Sequence, residues 1–257
     1  MPILDGNVAI LTPANSELIV SFSAALGQAG CTVIIADAAQ TPAADVAATL
    51  QAQGIPAFAW QTDISAEAID AALQSITKQH GQPTILVKLP ASSTPVASTD
   101  LSEADFRRSV ENNLIHAFLW AQAAGRHMIA GNGGVIVNVT TLAALGGWPT
   151  WLAQSATLGG VHNLVHTLAA EWGDQGVRVN ALVCGVTEPM QHQIELSHPN
   201  AVIKRIPLGR IATPDDLAQA LLYLVHPAAS YVSGEILRVD GGWDSWGRLY
   251  AVAPKDK

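Results

Sequence analysis

The sequence predicts one α/β domain over residues 1–257, built on a doubly wound parallel sheet. Three observations predict it. Short continuous Val/Ile/Leu runs alternate with longer amphipathic stretches along the whole chain, the pattern of strands covered on both faces by crossover helices. No repeat, low-complexity tract or long linker interrupts that alternation. At 257 residues and 49% hydrophobic, the chain can bury a large core, about three quarters of the surface its unfolded form exposes.

The elements follow in order. Val8–Thr12 reads as a buried strand, then a helix from about Ser16 to Gly30. Thr32–Asp37 is a second strand, followed by a helix through Ala43–Gln53. Ala57–Gln61 is a third, with a helix near Ala66–His80, and Thr84–Leu89 a fourth. Phe106–Met128 is long and helical, Gly134–Thr140 a fifth strand, Ala153–Gly173 again long and helical, and Arg178–Val183 a sixth strand. A helix opens at Pro214-Asp215-Asp216 and runs to Val225, where carboxylates favour the helix dipole. Ile236–Val239 is the last strand. Parallel strands joined in this way require right-handed crossovers.

Composition excludes several classes of function. Charged residues are 13% of the chain, about half the usual share of about 25%. A chain so apolar is not disordered. Its 13 basic and 21 acidic residues give a net charge of −8 without a basic run, which argues against nucleic-acid binding. Cys31 and Cys184 make neither a disulfide framework nor a zinc pattern. The start MPILDGNVAI lacks the basic and long apolar regions of a secretion signal, and no run of about 18 apolar residues marks a membrane span. A cytoplasmic location is therefore expected. Low charge also predicts that less surface than usual meets water. Four of the seven Trp fall in pairs, Trp148 with Trp151 and Trp243 with Trp246, and are expected in packing or at interfaces.

Several segments resemble the short-chain dehydrogenase/reductase family. They are Pro207-Leu208-Gly209-Arg210-Ile211-Ala212-Thr213-Pro214-Asp215-Asp216, Ala228-Ala229-Ser230-Tyr231-Val232-Ser233-Gly234-Glu235, Val239-Asp240-Gly241-Gly242, Arg178-Val179-Asn180-Ala181 and Val137-Asn138-Val139-Thr140-Thr141. Their order and spacing match over nearly the whole chain. The resemblance implies a Rossmann-like fold. Because one fold hosts many chemistries, each functional position is compared separately.

After its first strand the family carries a Thr-Gly-x-x-x-Gly-x-Gly turn that lets pyrophosphate approach backbone at a helix N-terminus. Here the stretch is Thr12-Pro13-Ala14-Asn15-Ser16-Glu17-Leu18-Ile19, with Pro13, Glu17 and Ile19 at the glycine positions. Proline removes a donor and fixes φ. Ile19 adds a branched side chain. Glu17 brings a carboxylate towards pyrophosphate: at about 4 Å and an effective dielectric of about 20 the repulsion is roughly 4 kcal/mol. That is half of a micromolar affinity of about 8 kcal/mol. Asp37 matches the acid for the ribose hydroxyls and Asp63 the acid at adenine; both are read as vestigial. The family's Asn-Asn-Ala-Gly after the fourth strand is Lys88-Leu89-Pro90-Ala91 here.

The family's catalytic positions, as the resemblance places them, are also changed. The Ser falls at Thr141, the Tyr at Gln154 and the Lys at Leu158, while Asn113 is kept. Glutamine cannot exchange a proton near neutral pH as general acid/base catalysis requires, and Leu158 carries no charge. Asn113 is expected to survive as a helix hydrogen-bonding group. His162 and His166 are four residues apart on a predicted helix without a third metal ligand in the pattern, so a helix-packing role is expected and no metal. Cys184 has no base beside it in the motif. His192 and His198 fall where the family has its substrate lid.

These readings imply no catalytic residue and no cofactor in this chain. The expectation is a non-catalytic, pseudoenzyme subunit of a heteromeric NAD-dependent hydroxyacyl-CoA-type dehydrogenase. NAD would sit in a catalytically intact paralogue, paired in a heterotetramer through the two long helices and the C-terminal strand. Two other readings stand beside it. One is a free-standing ligand-binding or regulatory protein whose pocket Ile19, Leu89 and Leu158 make apolar. The other is a non-redox enzyme using Thr141, Gln154 or His116.

Overall fold

Seven parallel strands form one twisted sheet in the order β3-β2-β1-β4-β5-β6-β7. The computed structural model describes residues 3–14, 16–91, 93–131, 133–195 and 201–245. The strands are β1 (Val8–Thr12), β2 (Thr32–Asp37), β3 (Ala57–Gln61), β4 (Pro83–Lys88), β5 (Gly134–Thr141), β6 (Val177–Cys184) and β7 (Ile236–Val239). All seven match the expected runs to within a residue at either end. The order reverses between β1 and β4, so the carboxyl ends of β1, β4, β5 and β6 open the crevice where such sheets bind ligands.

The apolar runs are continuous because both faces of the sheet are covered. On one face Leu11, Ile35, Val87 and Val137 pack on Phe22 and Leu26 of α1 (Ile19–Gln28), Leu50 of α2 (Gln40–Gln51), and Leu217 and Leu221 of the helix Pro214–Val225. On the other, Ile10, Ile34, Leu86 and Ile136 pack on α3 (Ala66–His80) through Ile69, Leu73 and Ile76. They also meet Trp120 and Met128 from His116–Ala130, and Val165 from Leu152–Trp172. Each such side chain, fully withdrawn from water, contributes about 1.5–3 kcal/mol.

Local chemistry sets most boundaries. The Ser65 hydroxyl accepts from the Ala68 N–H at the start of α3. The long helix expected over Phe106–Met128 is three pieces: α4 (Glu103–Ser109), a π-helical turn Val110–Ile115, and α5 (His116–Ala130). Apolar periodicity does not register one extra residue per turn. The next helix, α6, spans Leu152–Trp172 as expected. Two short helices, α7 (Glu188–Glu195) and α8 (Ala201–Arg205), were not legible as periodic segments. The last helix, α9 (Pro214–Val225), opens with a reciprocal Thr213–Asp216 capping box, and Arg210 makes a two-point bond to the same carboxylate. This confirms Asp216 as a helix-start residue.

Near the cleft a third apolar cluster joins Leu142, Val183, Val186, Met190, Val202, Ile206 and Trp243. Trp243 stacks on Trp148 at 5.5 Å and carries the Arg205 guanidinium 4.4 Å above its ring. Of the two expected roles, packing or an interface, Trp243 takes packing: it is buried by its own chain. Trp246 and His198 lie outside the described residues. Among the described residues no helix is long and apolar enough to cross a membrane.

Candidate functional site

The first strand ends at Thr12, and a cis Thr12-Pro13 bond leads into the loop before α1. That loop is stapled to β2. The buried Ala14 donates its N–H to Asp37 Oδ2 at 2.7 Å, and Ala39 donates to Oδ1 at 2.9 Å. Both carboxylate oxygens of Asp37 are thus engaged by backbone. Asp37, read from sequence as vestigial for a ribose, here holds the loop that carries the replaced glycine positions. Asp63 is exposed and lines the same small cavity as Asp37, about 150 Å³, with Pro13, Lys88 and His116.

The helix expected from about Ser16 begins instead at Ile19, and Leu18 at its start has no side-chain cap. This turns Ile19 into the core, where it is 3% exposed. Glu17 remains outside, and its Oε1 accepts a 2.6 Å hydrogen bond from the Thr187 hydroxyl beyond β6. The contact runs from the loop after β1 to the loop after β6. Glu17 is exposed at the rim, so its repulsion of a phosphate is well below the roughly 4 kcal/mol expected for a charge at about 4 Å in a less solvated setting.

The floor of the cleft comes from β5, β6 and α6. Thr141 ends β5, and its Oγ1 is buried without a hydrogen-bond partner among the described residues. Gln154 on α6 is buried and accepts from the Ser93 hydroxyl at 3.3 Å. Leu158, one turn on, is 1% exposed. Thr141 and Gln154 line one cavity of about 520 Å³, with Glu17, Thr187, Cys184, Trp151 and Met190. Gln154, Ser93, Ala91 and Trp151 also line a neighbouring cavity of about 550 Å³ running towards Asp105 and Arg108. Thr150 at its edge takes a left-handed φ of 68°, rare for a branched residue. The sequence carried no signal for this second space.

The apolar lining of the main cavity differs from expectation. Ile19, Leu89 and Leu158 are packed inside and do not line it; Leu18, Val139, Trp151 and Met190 do. His116, grouped with Thr141 and Gln154 by sequence, lies at the small cavity instead. Burial, and then the charge of Lys88, lower its pKa to about 4.

Lys88 was legible only as a departure from the family pattern. In the fold it ends β4, is 4% exposed, and donates from Nζ to Leu89 O at 2.7 Å and Asn112 O at 3.4 Å. Asn112 belongs to the π-helical turn, so the ammonium ties the sheet to that turn. Burial lowers its pKa to about 7. Asn113, in the same turn, donates to Ser109 Oγ at 3.4 Å, and its Oδ1 accepts from the Ala91 N–H at 2.9 Å. The helix bond is as expected; the bond to the loop after β4 is an addition.

Cys184 is buried, and burial together with the Glu17 charge raises its pKa; it is no nucleophile at neutral pH. His162 shares a 2.9 Å hydrogen bond with Thr140, packing α6 on β5. Burial lowers its pKa to about 4. Among the described residues no three His, Cys, Asp or Glu side chains gather as a metal site.

A family model described as Enoyl-(Acyl carrier protein) reductase matches residues 21–244. The chain belongs to the short-chain dehydrogenase/reductase family. The match begins beyond the loop of Pro13, Glu17 and Ile19. Among short-chain dehydrogenase relatives, 7alpha-hydroxysteroid dehydrogenase of Escherichia coli K12 is 31% identical over 242 residues, 93% of this chain and 94% of that protein. Galactitol 2-dehydrogenase (L-tagatose-forming) of Cereibacter sphaeroides is 32% identical over 254 residues, 95% and 97% of the two chains. A solved 7 alpha-hydroxysteroid dehydrogenase, complexed with NADH and 7-oxo glycochenodeoxycholic acid, superposes with a TM-score of 0.84 at 31% identity, covering 93% of this chain and 94% of that one. This agreement establishes the family's fold here, and relatives of this short-chain dehydrogenase/reductase are active dehydrogenases.

Proposed function

We propose that this chain is the non-catalytic subunit of a heteromeric, NAD-dependent short-chain dehydrogenase. NAD and the oxidation belong to an intact paralogue with which it forms a heterotetramer in the cytoplasm. The observation that carries the reading is the Glu17–Thr187 hydrogen bond, which sets a carboxylate between the loops after β1 and β6. Asp37 spends one acceptor site of each carboxylate oxygen on the Ala14 and Ala39 N–H groups. Gln154 and Leu158 provide neither a group that ionises near neutral pH nor a cation. These residues do not fit a dinucleotide, and no step is assigned to them.

The pattern of changed positions resembles the cofactor-less subunit of 2-[hydroxy(phenyl)methyl]-succinyl-CoA dehydrogenase, which acts in the β-oxidation of benzylsuccinate during anaerobic toluene degradation. We infer that the partner oxidises a hydroxyacyl-CoA of this type. Calorimetry with NAD tests the reading. The isolated chain is expected to bind none, and the complex with its paralogue to bind one NAD per pair of unlike chains. Saturable micromolar binding by the isolated chain overturns it, as does failure of the two chains to co-purify.

A further inference from the structure

The cavity of about 520 Å³ falls within the size range of small-molecule sites, roughly 300–1,000 Å³. Its body is apolar, with Leu18, Val139, Trp151 and Met190 among its walls. Its single charged lining group is Glu17; no lysine, arginine or histidine lines it among the described residues. Among the described residues Glu17 makes no ion pair, and its one hydrogen bond comes from the neutral Thr187 hydroxyl. Deeper in, the Thr141 Oγ1 is buried and unpartnered. That atom is withdrawn from the cavity surface, so a ligand there does not reach it.

We propose that this cleft binds a small apolar amine. The ammonium meets Glu17 at the rim, and the hydrocarbon body lies against Trp151 and Met190. A cation is favoured by the carboxylate of Glu17, the cavity's one charged lining group among the described residues. An anion is repelled by Glu17 with no basic group to offset it. The exposure of Glu17 and the positive end of α1 behind it limit the preference. The inference shares Glu17 with the subunit reading, but it rests on the charge of that residue in the cavity and needs no partner subunit.

Three probes with one body and different charge test it: 2-phenylethylamine, 2-phenylethanol and 3-phenylpropanoate, titrated by calorimetry on the full chain. The amine is expected to bind about fivefold tighter than the alcohol, the scale of an exposed ion pair, and the carboxylate weakest. Glu17→Gln keeps a carbonyl for Thr187 and removes the charge; it is expected to erase the amine's advantage and leave the alcohol's affinity unchanged. High salt on the unaltered chain is expected to shrink the same advantage, a readout that does not need the variant to fold. Equal affinities, a tighter carboxylate, an amine preference that survives Glu17→Gln and salt, or no binding of any probe at millimolar concentration overturns the proposal. NAD titrated in parallel separates the two readings: its binding refutes the preceding section and leaves the probe comparison to decide this one.

Discussion

Replacing Asp37 with alanine tests whether this acid is a relic or a staple. Its carboxylate accepts two backbone N–H bonds, from Ala14 at 2.7 Å and Ala39 at 2.9 Å. Hydrogen bonds to a charged group contribute about 1.5–3 kcal/mol each when well shielded. The Ala39 bond is exposed and counts for much less. The Ala14 bond belongs to a residue 4% exposed, whose N–H loses its partner in the variant. The expected loss is therefore about 2 kcal/mol, most of it at Ala14. For a domain of this size that is a fall in Tm of about 4–8 °C. Urea denaturation and thermal unfolding of the purified chain give both numbers. Asp63→Ala is the internal control: the side chain is exposed, and its removal is expected to change stability by no more than about 0.5 kcal/mol. If the two variants behave alike, or if Asp37→Ala stays within about 0.5 kcal/mol of the parent, the staple reasoning is wrong.

Two further predictions concern pH. His116 and His162 are held at about 4 in the fold, mainly by burial, against about 6.5 unfolded. Between these values the unfolded chain binds more protons, so stability falls as pH drops from 6.5 to 4. His116→Gln and His162→Gln should each flatten that limb by on the order of 2 kcal/mol in urea titrations; an unchanged slope refutes the burial argument. Lys88 is held at about 7, so stability should rise with pH above 7, by on the order of 2 kcal/mol up to pH 8.5. Lys88→Met should remove that rise. The window stops there because the raised thiols, Cys31 at about 12 and Cys184 by burial, act with the opposite sign from about pH 9. A Met variant that keeps the rise sinks the assignment.

The fold was legible because its signals are local and repeated. Val8–Thr12 and the centre of Thr32–Asp37 are buried, as a continuous apolar run requires, and the bounds of these strands and of Ala57–Gln61 and Ile236–Val239 coincide with the expected runs. The π-helical turn at Val110–Ile115 was not legible, because one inserted residue hardly disturbs apolar periodicity. At the site, residue identities were readable and orientations were not. Glu17 and Ile19 stand two apart in one loop; the late start of α1 sends Ile19 into the core and leaves Glu17 at the rim. Asp37 and Ala14 are 23 residues apart, and Lys88 and Asn112 are 24 apart, contacts that no local pattern encodes.

By itself the sequence determined the alternation of strands and helices, the family resemblance, and which chemical groups stand at each motif position. Those depend on side-chain type and short-range spacing. Only the tertiary structure decided what the groups do. The crossovers bring the ends of β1, β4, β5 and β6 to one edge, where Glu17 meets Thr187 across 170 residues of chain. There they leave a cavity of about 520 Å³ with a carboxylate at its mouth. Volume, burial and pairing arise from the packing of distant segments, so they exist only once the sheet has formed.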